Sequence, residues 1–148
     1  MEYELTFIGL LLSLLFTGIT GIYPGGIIVP SYLVLFIQQP ERIAGTIITA
    51  FLTTLCYKLF SRYVILFGRR RFIFMLITAG LWVYIWYTLF PVLLPQSQEF
   101  RVIGWVIPGL IANHFERQGI LITICSLVTV TVMIFVTGKI ISLCIGMF

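Results

Sequence analysis

Long stretches without a charged side chain constrain this chain more than any other feature of its sequence. Soluble domains carry about 25% charged residues, whereas only 9% of these 148 residues are charged and 60% are hydrophobic. A soluble fold would need a polar surface that this composition does not supply, but lipid can face apolar side chains directly. The sequence therefore predicts an all-α integral membrane protein. The stretches without Asp, Glu, Lys, Arg or His are residues 5–40, 43–57, 72–98 and 118–138.

The lengths of these stretches divide the chain into long and short helices. A spanning helix needs roughly 20 predominantly apolar residues, and Pro and Gly end or interrupt helices. Two short apolar pieces, residues 27–37 and 102–113, each contain a Pro. We therefore predict a single polytopic membrane domain, residues 1–148, with about four full transmembrane helices plus two short, broken or re-entrant segments. The long helices are expected over residues 5–20, 43–60, 72–90 and 120–138, the last extending towards residue 148.

The two short pieces resemble each other. GIIVPS at residues 26–31 aligns with GWVIPG at residues 104–109, and each piece follows a long helix and precedes a polar turn with an arginine. Short Gly/Pro-interrupted segments in matching places of two halves indicate a binding site in transporters. The pattern predicts a pseudo-repeat with halves of about 1–67 and 68–148, and structural helix breaks at Pro24, Pro30 and Pro108.

The basic residues orient the chain but leave the number of crossings open. Five of the nine Lys and Arg residues lie within residues 58–71, where there is no acid, and basic loops stay cytoplasmic. Re-entrant short pieces would give four crossings with both termini cytoplasmic. Six crossings, the alternative, would put both termini outside. The shortness of residues 102–113 favours the first arrangement, and the acidic N-terminus favours the second.

No catalytic or metal-binding set is evident, and no cofactor is expected. His114 is the only histidine, and a membrane enzyme that uses Glu99, His114 or Glu116 is an alternative. The polar groups gather at the breaks, where helix N-termini and arginines favour anions. They are equally explained as residues at the lipid headgroup level. The anion-contacting or polymer-path candidates are Arg101, Arg117, Asn113, Gly25, Gly26, Gly104 and Gly109.

A basic triple, Arg69, Arg70 and Arg71, precedes the third long helix. Basic residues beside a membrane bind anionic lipid and fix topology, and the same triple would also dock an acidic cytoplasmic partner. The two roles are compatible. The chain lacks the interleaved basic and aromatic residues of a nucleic-acid-binding surface, so we expect no nucleic acid as a partner.

Three stretches in register resemble the membrane subunit of poly-gamma-glutamate synthase, the PgsC or CapC family. The stretches are TGIYPGGIIVPSYL at 20–33 with Gln39 and Pro40; ILFGRRRF at 65–72 with MLIT at 75–78; and EFRVIG at 99–104, IPGLIAN at 107–113, RQG at 117–119 and Thr123. Their order and spacing are similar to that family from end to end.

The resemblance implies a place in the bacterial plasma membrane and a part in capsule biosynthesis. Its implied partners are a Mur-ligase-like, ATP-dependent amide ligase subunit (PgsB or CapB), which carries the nucleotide chemistry, and an export-linked subunit with an external domain (PgsA or CapA). This chain would hold the ligase at the membrane and would not be catalytic alone. A passive scaffold without a polymer path, and a free-standing small transporter or channel for an anionic substrate, are the alternatives.

Overall fold

A computed structural model describes residues 2–93 and 103–146, and that part of the chain contains helices and no strands. Four of the helices are long and two are short. The prediction of an all-helical chain with four long apolar helices and two short ones is therefore confirmed. The helices are α1 Glu2–Thr20, α2 Ile28–Leu35, α3 Pro40–Phe60, α4 Arg69–Leu93, α5 Val106–Gln118 and α6 Ile120–Gly146.

The long helices have the composition that the hydrocarbon of a bilayer requires. Within the described residues, three segments are long and apolar enough to cross a membrane: Pro40–Phe60, Arg69–Leu89 and Ile120–Cys144. A shorter apolar helix, Glu4–Thr20, accompanies them. All backbone hydrogen bonds within a helix are satisfied internally, which is the condition for placing a polypeptide in lipid. These features are those of a membrane protein.

The two short helices both begin next to a proline. Pro30 and Pro108 are each the third residue of their helix, where the missing N–H costs no intrahelical hydrogen bond. They therefore stand at the start of α2 and α5, whereas Pro24 lies in the non-helical segment before α2. The structure differs from our boundary for the second piece, since α5 continues through the polar residues to Gln118.

The helices pack as two groups of three, and each group combines two helices of one half of the chain with one helix of the other half. One group contains α1, α2 and α6, and the other contains α3, α4 and α5. The short helix α2 thus packs against α1, which precedes it, and against α6, the last helix of the second half. The short helix α5 packs against α4, which precedes it, and against α3, the last helix of the first half. Contacts of α5 with α6 and α2 join the groups, so the two short helices lie centrally.

Specific contacts define which ends of the helices lie together. Tyr23, just after α1, bonds to Gln118 at the end of α5, whereas Leu5 near the start of α1 lies against Gly138 late in α6. Ile103, before α5, bonds to Thr46 near the start of α3. α1, α3 and α5 therefore run in one direction, and α4 and α6 run in the other.

We call the two ends of the bundle the basic end and the far end. The basic end holds residues 21–27, the loop at 61–68 and the α5–α6 turn; the far end holds the turn at 36–39 and the start of α5. Six of the nine Lys and Arg residues lie at the basic end, with Glu116 as the one acid among the described residues there. The six are Lys58, Arg62, Arg69, Arg70, Arg71 and Arg117.

Candidate functional site

The first break, residues 21–27, depends on two adjacent glycines. Gly25 and Gly26 have φ values of +69° and +117°, a region that L-residues with a Cβ rarely adopt. Pro24 before them is fully buried, and its ring prevents the helix α1 from continuing. The chain consequently leaves the α1 helix, turns at the buried Pro24 and Gly25, and begins α2 at Ile28.

These glycines also let the break approach α5 and α6 closely. A Cβ on Gly25 would lie 3.0 Å from Leu127 Cδ1 and 3.5 Å from Ile111 Cγ1. A Cβ on Gly26 would lie 3.7 Å from His114 Cε1. The predicted site residues Gly25 and Gly26 are therefore brought together with the polar half of α5.

A side-chain amide holds the break in place. Tyr23 N–H donates to Gln118 Oε1 at 3.1 Å, and Gln118 Nε2 donates back to the carbonyl oxygen of Tyr23. The same nitrogen lies 3.3 Å from Thr123 Oγ1, and this hydroxyl also donates to Gly119 O at 2.8 Å. Both backbone polar groups of Tyr23 are thereby satisfied by a residue 95 positions away in the sequence.

His114 lies between this clamp and the two glycines. Only 9% of its surface is exposed, and its ring centroid is 5.7 Å from that of Tyr23. Its Nδ1 lies 2.8 Å from Leu110 O. Because a carbonyl oxygen only accepts, Nδ1 carries the proton, and Nε2 of the neutral ring is an acceptor. Within residues 2–93 and 103–146, Nε2 has no hydrogen-bond partner.

The second break is held differently. Ile103 N–H donates to Thr46 Oγ1 at 3.1 Å, and that hydroxyl donates to Arg42 O at 2.7 Å. Gly104 has φ of +60°, with nothing within 4 Å of an added Cβ. The following Trp105 is 70% exposed, so this break opens outwards. A groove of about 360 Å³ lies beside it, lined by Gly80, Val83, Tyr84, Tyr87, Gly104 and Trp105.

Two other predicted residues, Gly109 and Asn113, lie on α5. A Cβ on Gly109 would lie 3.1 Å from the Cα of Leu76, so this glycine permits close packing of α5 on α4. Asn113 is one turn further on the same helix and is 8% exposed. Gly109 thus has a packing role that explains the absence of a side chain there.

Of the two arginines predicted as anion contacts, the structure describes Arg117. Arg117 is exposed at the end of α5, next to Gln118, and shares the basic end with Arg69 and Arg70, both exposed, and with the half-buried Arg71. Arg101 and Glu99 lie outside the described residues. In the described part of the chain, no three His, Cys, Asp or Glu side chains form a group that could hold a metal ion.

Sequence reasoning missed Tyr23, Thr46, Gln118 and Thr123 as residues that shape the breaks. Gln118 carried one usable signal, because it follows His114 by four positions and residues so spaced share a helix face. The long-range bonds themselves have no local signature. Thr46 and Thr123 are both fully buried. Thr123 is among the residues that carry the family resemblance, whereas nothing in the sequence distinguishes Thr46 from the chain's other threonines.

Comparison with known proteins gives consistent matches. The family model described as "Capsule biosynthesis CapC" matches residues 8–124. The chain is 42% identical to "PGA biosynthesis protein CapC" of Bacillus subtilis (strain 168) over 122 residues, 82% of each chain. It is 41% identical to "Capsule biosynthesis protein CapC" of Bacillus anthracis over 121 residues, 79% of each chain. No solved structure gives a significant match.

Proposed function

Because the chain belongs to the CapC family of capsule biosynthesis proteins, we propose that it is the membrane subunit of a bacterial poly-gamma-glutamate synthase complex. It lies in the plasma membrane and anchors and assists an ATP-dependent, Mur-ligase-like subunit (PgsB or CapB). A third, export-linked subunit (PgsA or CapA) completes the complex. The names of the relatives and the apolar helices support this assignment.

The same proposal includes a path for the polymer between the two breaks. A polyanion needs polar contacts to pass hydrocarbon, because a bare charge there is costly. The observation that carries the path is that the breaks lie at opposite ends of the bundle, with α2 and α5 between them. The polymer would enter beside Gly25, Gly26 and Arg117 and leave beside Gly104 and Arg101.

Topology follows from the same arrangement. Basic residues concentrate at the end that holds the first break, and such loops stay cytoplasmic. With the helix directions found above, we propose the six-crossing alternative, in which both termini lie outside. As helices of 8 and 13 residues, α2 and α5 rise only about 12 Å and 20 Å. In this topology the non-helical break segments supply the rest of each membrane crossing.

Two inverted halves, about 1–67 and 68–148, complete the proposal. An odd number of helices in each half reverses the direction of the second copy, and transporters built in this way bind substrate where the halves meet. The exchange of α3 and α6 between the two helix groups supports this pairing. Arg69, Arg70 and Arg71 then face the ligase and anionic lipid on the cytoplasmic side.

The test replaces the arginine beside each break and separates transport from assembly. Arg117→Gln and Arg101→Gln are each expected to lower polymer output several-fold while the ligase still co-purifies with the chain. Arg62→Gln, an exposed arginine at the basic end away from the breaks, is the matched control and retains output. Normal output from both break variants would refute the path, and absence of an amide ligase from the purified complex would refute the synthase role.

A further inference from the structure

The loop between α3 and α4 exposes large apolar side chains outside the helices that could cross a membrane. In this loop Tyr63, Ile65 and Phe67 are 89%, 78% and 79% exposed, and we call these three side chains the apolar tip. On a membrane-crossing helix, an exposed apolar side chain meets lipid. The loop, however, begins where one candidate span ends and stops where the next begins, so its exposed side chains need another explanation.

The lengths of the two flanking helices place the loop beyond the hydrocarbon of the bilayer. The span Pro40–Phe60 has 21 residues, and so has Arg69–Leu89. A helix of this length rises about 32 Å, whereas the hydrocarbon core is about 30 Å thick. Each span therefore crosses the hydrocarbon by itself, and the loop that joins them lies outside the hydrocarbon at the basic end.

Contacts with the ends of the two helices hold the loop in place. The Tyr57 hydroxyl donates to Leu66 O at 3.3 Å, and the ring of Tyr57 packs on that of Phe74 in α4, with centroids 6.4 Å apart. The side chain of Leu66 packs on the hydrophobic core. Since Leu66 faces the core while its neighbours Ile65 and Phe67 are exposed, the loop presents the apolar tip outwards from a fixed backbone.

Cations adjoin the apolar tip. α4 begins with Arg69, Arg70 and Arg71, and the chain has no Asp or Glu between residues 42 and 98. Arg69 and Arg70 are exposed. An exposed apolar patch with a polar rim marks a contact with a protein or a membrane. A cationic rim is complementary to a surface that carries anionic groups.

A protein surface fits these observations better than a lipid surface does. Insertion into lipid needs no fixed loop, whereas a fixed loop lowers the ordering cost of binding in a shaped pocket. Protein interfaces are enriched in aromatic side chains and Arg and depleted in Lys, and the first three residues of α4 are all Arg. An anionic membrane surface attracts Lys and Arg alike, but the planar guanidinium of Arg is suited to bidentate pairing with a carboxylate.

We propose that the segment 63–70 is the docking surface for a cytoplasmic protein partner. The apolar tip enters an apolar pocket of that partner, and Arg69 and Arg70 pair with carboxylates at the rim of the pocket. This docking surface rests on the proposed function and topology, under which the basic end is cytoplasmic and the partner is the ligase subunit. It identifies the part of the chain that anchors the ligase.

Binding of purified ligase to the full chain in nanodiscs of zwitterionic lipid tests the apolar tip. The double variant Ile65→Ser and Phe67→Ser should bind at least about 10-fold more weakly, with an unchanged denaturation midpoint because both side chains are exposed. Leu121→Ser is the matched control, since Leu121 is also 79% exposed and lies at the same end on α6. Unchanged binding of the double variant, or an equal loss in the control, would overturn the docking surface.

The rim and the pocket should affect different rate constants. Arg69→Gln combined with Arg70→Gln should slow association several-fold at low salt and reduce its dependence on salt, because charges at a rim steer the encounter. The double variant of the apolar tip should instead speed dissociation. Unchanged association and salt dependence in the arginine variant would overturn the role of the rim.

A label in the loop separates a protein partner from lipid. In a chain without its own cysteines, Val64→Cys carries a fluorophore that reports polarity, and the nanodiscs contain lipid with brominated acyl chains. Without ligase we expect emission typical of water and little quenching by bromine, and with ligase a shift to shorter wavelength. Strong quenching before ligase is added would show insertion into lipid and would overturn the proposal.

The failure of the docking surface and that of the proposed function give different results. If the ligase does not bind the wild-type chain, the synthase role and the docking surface both fail. If the ligase binds the wild-type chain and the double variant of the apolar tip equally well, the synthase role stands and the docking surface is refuted.

Discussion

The two breaks have similar sequences but are held by different means, and the difference indicates different roles. The first is enclosed: Gly25 packs against α6, and Gln118 bonds to both backbone polar groups of Tyr23. In the part of the second break that the structure describes, Ile103 is bonded to Thr46, and Gly104 faces open space. An enclosed break can position hydrogen-bonding groups for recognition, whereas an open break suits release.

The largest difference between the breaks should come from adding a methyl group to each. Gly25→Ala combines a left-handed backbone cost with displacement of Leu127 and should lower the free energy of unfolding by about 2–3 kcal/mol. Gly104→Ala has the backbone cost alone, about 1 kcal/mol. Thermal denaturation in detergent measures both, and Gly18→Ala, in exposed helix with open space around it, is the control. Equal losses at both breaks would remove the distinction.

An intermediate effect is expected from Thr46→Val, which keeps the shape but removes the acceptor for Ile103 N–H. That N–H is buried, so the loss should be about 1–2 kcal/mol. Thr129→Val is the matched control, because Thr129 makes the same bond to the preceding turn but is exposed. If the two variants denature at the same temperature, Thr46 does not hold the second break.

The smallest effect should follow from Gln118→Ala. Tyr23 is 42% exposed, so water replaces part of the lost bonding, and the expected loss is about 1 kcal/mol. Hydrogen exchange of the amides at 23–28 should nevertheless increase, because the clamp joins the break to α5. Gln38→Ala, at an exposed position of the α2–α3 turn, should change neither measurement. Unchanged exchange in Gln118→Ala would show that packing alone fixes the break.

The sequence predicted the helices better than the contacts between them. Uncharged runs and the Pro–Gly segments located four long and two short helices, because lipid imposes a length and a composition on each. The polar run at 114–119 predicts that α5 ends at residue 113, whereas the structure continues the helix to Gln118. His114 and Asn113 are buried there by tertiary packing and Gln118 bonds across to Tyr23, which no local pattern encodes.

The relative position of the breaks was also beyond the sequence. Charge patterns oriented the loop at 61–68, but four and six crossings differ in where α5 ends. The contacts of Tyr23 with Gln118 and His114 join that end to the end of α1. For the candidate site, the glycines were identifiable from their pairing with proline. The unpartnered His114 Nε2 was not, because the bond that fixes its tautomer is formed within the helix.

Labelling of single cysteines from one side of the membrane tests the central claim most directly. Cys56, Cys125 and Cys144 are first replaced, and Gln39→Cys and Glu116→Cys are then made separately. If the breaks lie at opposite membrane faces, an impermeant thiol reagent applied outside intact cells will label position 39 and will label position 116 only after the cells are opened. Labelling of both positions from outside would contradict the account.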